Sequence, residues 1–251
     1  VPHGISQVLL AQFDRIMIRS MVGDAAAGIY SLAGNVQLVL TVLTDSIATV
    51  WSTWFYQKMD ANDTKDIQHR AFQLCRMFAA LCVGMIAIAP EMIWILGGKQ
   101  YEQATYVAVP LIMVSFVLFV YNVVVDAEYY SQKTTYIMYC TLAAAMIDIV
   151  LNLFFVSRFG FVAAAYTTLT SYIFYLIFHM QLSRKLLGFA IMRWSQVLTL
   201  GMAVVLAAVI SLLLRQNILL RYLLELVLLA VVGGKAAVQE VQTFLKTRKG
   251  E

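Results

Sequence analysis

The sequence predicts an all-α, polytopic membrane protein with about eight transmembrane helices, arranged as a six-helix lobe plus two accessory helices. Three observations carry this. Of 251 residues, 61% are hydrophobic and only 13% charged, about half the charged share (~25%) of a soluble domain. Mean hydropathy is +0.78. Apolar runs of roughly 18 or more residues recur along the chain, each long enough to cross a hydrocarbon core of ~30 Å. The runs are continuous, without strict alternation. In lipid a spanning backbone must satisfy its own hydrogen bonds, so such runs form helices rather than strands.

The elements follow in order. A first helix is expected over about 5–22, ended by the turn pair Gly23-Asp24. The second, about 27–56, is longer than a bilayer needs and should tilt or project; it yields to a polar stretch from Gln57 to Arg70. The third, about 72–96, stops at Gly97-Gly98-Lys99, and the fourth, about 104–128, at Ser131-Gln132-Lys133. The fifth, about 134–156, closes at Arg158 and Gly160; the sixth, about 161–182, at Ser183-Arg184-Lys185. The seventh and eighth, about 194–214 and 217–234, flank Arg215-Gln216-Asn217. Domain boundaries follow: a lobe over 1–185, two accessory helices over 186–234, and a tail over 235–251. Val238, Val241 and Leu245 share one face of that tail, as an interfacial helix would require. The chain begins at Val1-Pro2 with no signal-peptide pattern, and it is expected to be a piece of a longer protein.

Positive loops stay cytoplasmic. Counting the amino end and every second connection as one side gives twelve Lys and Arg, grouped at 58–76, 133, 184–193 and 235–249. The other side has four: Lys99, Arg158, Arg215 and Arg221. Both ends are therefore expected in the cytoplasm, in a cytoplasmic (inner) cell membrane. This distribution accounts for the net charge of +4 without nucleic acid. Trp54, Tyr56, Trp94, Tyr129, Tyr130 and Trp194 fall near helix ends, where amphipathic rings favour the interface. Cys75, Cys82 and Cys140 lack metal-ligand spacing and are expected to be small buried hydrophobes. No phosphate loop, metal cluster or nucleophile motif stands in the chain. No loop exceeds roughly 16 residues by the pattern of runs, so a transporter is expected rather than an enzyme, with no cofactor.

Charge in mid-membrane costs ~2.5–3.5 kcal/mol per group even on lenient scales, so intramembrane polar residues mark candidate sites. On the first helix Gln12, Asp14, Arg15 and Arg19 fall in one broad sector. Two stacked cations need carboxylates, water or an anionic ligand. On the second, Gln37, Thr41, Asp45, Thr49 and Ser52 form a stripe at spacings of four and three. The fourth adds Ser115, Asn122 and Asp126, the fifth Thr141, Asp148 and Asn152, and the sixth Thr168, Ser171, Tyr172, Tyr175 and His179. Hydroxyls taken singly are more often packing groups than ligands. The seventh and eighth helices are nearly free of polar groups; Glu225 is expected to pair with Arg221, four residues earlier. A six-helix lobe around a hydrated cavity is the expectation.

Three segments carry a family resemblance: FDRIMIRSMVGDAAAGIYSLA over 13–33, ILGGKQYEQATYVAVPL over 95–111, and FGFVAAAYTTLTSY over 159–172. In this order and spacing they resemble the O-antigen, capsule and exopolysaccharide flippases. These Wzx-type polysaccharide transporters belong to the multidrug/oligosaccharidyl-lipid/polysaccharide exporter superfamily. The resemblance covers that family's carboxy-terminal half. It implies alternating access to a polyprenyl-diphosphate-linked oligosaccharide, a missing amino-terminal lobe as partner, and glycan polymerase and glycosyltransferases nearby. Asp14 and Arg15 carry over from the Asp-Arg motif; Arg19, Asp45, Asp126 and Asp148 are extrapolated from helix geometry. Arg15 and Arg19 are expected to contact the anionic head group, with Asp14 orienting or neutralising them. A carboxylate such as Asp45 or Asp148 is a candidate for coupling to protons or sodium. Two alternatives stand beside this: a drug or peptidoglycan-precursor exporter of the same superfamily, and a membrane-embedded glycan polymerase.

Overall fold

The computed structural model describes residues 13–249, with side chains described through residue 234. Those residues form helices and short turns, with no strand among them. Helix α1 occupies 13–21. It is followed by α2 (Asp24–Asp60), α3 (Thr64–Gly97), a 3-10 turn (Lys99–Ala104), α4 (Thr105–Tyr130), α5 (Thr134–Phe159), α6 (Val162–Leu187), α7 (Trp194–Leu213) and α8 (Ile218–Lys249). Six of these, α2 through α7, are long and apolar enough to cross a membrane.

The helices run further than the apolar stretches that announce them. The segment from Gln57 to Arg70, expected as a loop, is almost wholly helical: only 61–63 separate α2 from α3. Asn62 supplies a left-handed turn at φ 56°, and Asp63 caps α3 by accepting from the Asp66 N–H at 3.3 Å. Ile67 and Ala71 are fully buried, so the polar look of this segment belongs to one face. Lys58 closes the corner on Asp63 at 2.9 Å and Asp66 at 2.8 Å. Its hydrogen bond, with the Asp66 N–H behind it, holds the Asp63 carboxyl below the usual value. At the other extreme of the chain α8 continues unbroken to Lys249. The tail is thus the end of α8 rather than a separate helix; Val238, Val241 and Leu245 lie outside the described side chains.

Helix α4 is the centre of the lobe, buried almost all round, with α2, α3 and α6 packed on it and α5 on α6. Its valines and phenylalanines fill that space; Phe119 stacks on Phe78 of α3 at 4.0 Å between ring centroids. Cys75 and Cys82 are free thiols in the same packing.

The last two helices pack on α3, and α7 also touches α4, but not through apolar contact alone. Pro90 has no N–H, so the Ile86 carbonyl one turn earlier loses its helical donor. Ser211 of α7 donates to that carbonyl at 3.1 Å. Arg221 of α8 is buried and donates to Glu91 of α3. The expected Arg221–Glu225 pair is therefore not made; the Glu225 oxygens are buried and accept no hydrogen bond among the described residues. An i,i+4 pair contributes ~0.2–0.5 kcal/mol, less than the ~1.5–3 kcal/mol of a charge-assisted bond, so the cross-helix partner wins.

Two glycines of α3 make opposite predictions. A Cβ on Gly97 would lie 2.6 Å from Leu32 Cδ2 and 2.8 Å from Tyr101 Cβ, whereas one on Gly84 would meet nothing within 4 Å. Gly97→Ala is expected to destabilise by about 1–3 kcal/mol through overpacking. Gly84→Ala is expected to stabilise by about 0.5–1 kcal/mol through helix propensity. Thermal unfolding in detergent should move the two midpoints in opposite directions.

Candidate functional site

The polar side chains inside the helical bundle sort into four groups. The first lines a cavity of about 340 Å³ between α2, α4, α5 and α6. Helix α2 supplies Thr41, Thr44 and Asp45, α4 supplies Ser115, Tyr121 and Asn122, α5 supplies Thr141, and α6 supplies Tyr172 and Tyr175. The hydroxyls here are satisfied locally. Thr44 donates to Leu40 O at 2.8 Å, Ser115 to Leu111 O at 3.2 Å and Thr141 to Ile137 O at 2.7 Å, the back-bonding common in membrane helices. Asp45 and Asn122 differ: their side chains line the cavity with no hydrogen-bond or ion-pair partner among the described residues. These two groups are available to something that enters.

The second group is closed. Asp14 accepts from Tyr30 Oη, Asn152 Nδ2 and Thr168 Oγ1, each at 2.8 Å. Asn152 also reaches Asp148 Oδ2 at 3.2 Å, while Ser171 donates to Asp148 Oδ1 at 3.3 Å and Thr167 to Asn152 Oδ1 at 2.5 Å. Four helices thus converge on two carboxylates bridged by one amide. All of these side chains are buried, and no cation pairs with either carboxylate among the described residues. Asp14 is taken up by partners from α2, α5 and α6 and makes no ion pair with Arg15 or Arg19. Consecutive helical residues point 100° apart, and the sector that joined them in projection is divided by real neighbours.

The two arginines are placed differently from each other. Arg15 is half-buried, its guanidinium against Gly34 of α2: a Cβ there would lie 2.9 Å from Nη2. It has no charged partner among the described residues. Neither Arg15 nor Arg19 lines the cavity, and Arg19 is exposed. It pairs with Asp24 at 2.5 Å, both side chains more than two-thirds exposed, because it sits in the last turn of α1, within reach of the start of α2. Gln37 is half-buried on α2 and does not line the cavity. Gln12 lies outside the described residues.

The remaining two groups lie deeper towards the α2–α3 and α4–α5 turns. Asp126 is buried and accepts from Ser52 Oγ at 2.9 Å and Tyr56 Oη at 3.1 Å, joining α4 to α2 instead of opening to a cavity. His179 is fully buried and bonded through Nδ1 to Glu128, also fully buried. Tyr175 lies against the His179 ring at 4.4 Å. Glu128 was not anticipated: it stands in the last turns of α4, and its partner is 51 residues away. Tyr30 and Thr167 were missed as well. The run of small hydroxyl residues opening α6 was the available signal, since hydroxyls beside an intramembrane carboxylate are donors in waiting.

No family model matches this chain, and no solved structure matches it. A curated protein of Haemophilus influenzae described as an uncharacterized membrane protein is 24% identical over 149 residues. That match covers 58% of this chain and 36% of the relative, so the chain spans about a third of the length of the curated relative it matches. Relative and helices agree on the coarse statement: this is a multi-pass membrane protein.

Proposed function

We propose that this chain is the carboxy-terminal lobe of a lipid-linked oligosaccharide flippase, moving polyprenyl-diphosphate-linked sugar units across the cytoplasmic membrane by alternating access. The observation that carries the reading is the open-sided cavity lined by an exposed Asp45 and a half-buried Asn122, two polar side chains without partners on membrane-spanning helices. An ionised group at that depth is expensive unless water or a polar cargo meets it. Asp45, Asn122 and the tyrosine hydroxyls present donors and acceptors that suit sugar hydroxyls. Arg15 is the cation for the diphosphate, since a guanidinium without a carboxylate partner is free to take phosphate oxygens in its fork. The amino-terminal lobe of such a flippase would close the open side of the cavity.

The closed pair Asp14–Asp148 takes the coupling role in this reading. Two carboxylates bridged by one amide and sealed from water share a single cation, a proton or sodium, held among Asn152, Thr168 and Ser171, which relieves their mutual repulsion and leaves one negative charge on the pair. Asp14 thereby joins the site as a coupling residue, and Arg19 leaves it.

The test is glycan display by cells carrying the intact protein. Arg15→Glu is expected to lower surface glycan at least ~100-fold, the scale of a lost and reversed charge-assisted bond. Arg19→Gln should leave display within about twofold, because an exposed ion pair contributes little. Normal display by Arg15→Glu at normal protein level would remove the proposal.

A further inference from the structure

A second cavity, of about 370 Å³, opens at the bundle end that carries the turn between α3 and α4. It lies between the end of α3, the 3-10 turn and the start of α8, remote from Asp45 and Asn122 in α2 and α4. Three cations line it, Lys99, Arg215 and Arg221, against two carboxylates, Glu91 and Glu102. Arg215 pairs with Glu102 and Arg221 with Glu91, which leaves Lys99 as the excess charge, exposed and without an anionic partner among the described residues. Arg221 is 1% exposed, yet its Nε–H has no acceptor among the described residues. Glu225, one turn deeper, is buried and does not line the cavity.

The surroundings say what kind of ligand reaches this place. Trp94 lines the cavity at 66% exposure, and Ile95, Leu213, Ile218 and Leu219 around it are 55–82% exposed. A tryptophan and bare aliphatic side chains at the end of a membrane span face the boundary between lipid head groups and acyl chains. A phosphate-bearing ligand there would meet one uncompensated cation, while its chains would meet apolar side chains. A phosphodiester carries one negative charge, matching the single excess cation of the lining.

We propose that this crevice binds the phosphodiester of a membrane lipid, with Lys99 as the primary contact and the acyl chains along Trp94 and Ile218. The ligand staples the turn between α3 and α4 to the α7–α8 hairpin. The assignment is independent of what the central cavity carries.

Native mass spectrometry of the purified full chain tests it, with dioctanoyl phosphatidylglycerol as the probe and dioctanoylglycerol and inorganic phosphate as separate arms. Phosphatidylglycerol is expected to bind at least ~10-fold more tightly than dioctanoylglycerol, and Lys99→Glu to weaken it at least ~10-fold, the scale of one charge-assisted contact. Lys133→Glu, an exposed cation at the opposite end of the bundle, should leave it unchanged. Equal binding of the two lipids, or equal loss in both variants, overturns the site. Inorganic phosphate binding as tightly as the lipid overturns the lipid assignment.

Discussion

His179→Leu is expected to destabilise the lobe by about 3 kcal/mol, the cost of leaving a buried acceptor without its hydrogen-bond partner. Both His179 and Glu128 are fully buried, and the histidine is boxed by Tyr121, Tyr175 and Phe178 at ring distances of 4.9, 4.4 and 5.7 Å. Leucine would leave the Glu128 carboxyl in that apolar box with its one partner gone. The pair is itself only half satisfied: Glu128 Oε2 and His179 Nε2 have no hydrogen bond among the described residues. A half-satisfied polar pair offers little net stabilisation over an apolar one of similar volume. The double variant His179→Leu/Glu128→Leu is therefore expected within ~1 kcal/mol of the original. Denaturant titration in mixed micelles reads both. A double variant as unstable as the single one would mean that shape, not charge, is what the site requires.

The helices could be read from the chain because lipid enforces one structural answer wherever an apolar run is long enough. Of the stripe on α2, Thr41 and Asp45 line a cavity with Asn122 of α4, whereas Gln37, Thr49 and Ser52 do not. What could not be read was partner choice. Asp14 and Arg15 are neighbours in sequence, but Asp14 is held by groups from α2, α5 and α6 while Arg15 lies against Gly34 of α2, and helical projection cannot say which neighbour each residue meets. Arg19 was misassigned because projection ignores axial position; its partner Asp24, five residues on and past the turn, was in plain view. Arg221 finds Glu91, 130 residues away, beside a proline whose freed carbonyl also needs a donor. Local spacing favours Glu225, and only the docking of α8 on α3 reverses that preference.

Asn152→Leu is expected to cost about 2–4 kcal/mol and to abolish transport, whereas Asp148→Asn should leave stability nearly unchanged and abolish transport all the same. The amide of Asn152 holds Asp14 Oδ1 and Asp148 Oδ2 together and accepts from Thr167. With leucine there, two carboxyls and a hydroxyl in a dry site lose their common partner. Asp148→Asn does the reverse. It keeps the shape, can still hydrogen-bond to Ser171 and Asn152, and removes one of two like charges whose repulsion is strong at low dielectric. A purely structural cluster should tolerate that change, or improve with it. A coupling site should not, because the cation is drawn in by the repulsion between two carboxylates, and a lone one has none to relieve. The decisive readout is glycan display per folded molecule, compared across external pH and sodium. Display that follows stability in both variants would reduce Asp14 and Asp148 to scaffolding. Loss of display in a stable Asp148→Asn protein, together with loss of its ion dependence, would place the coupling cation between them.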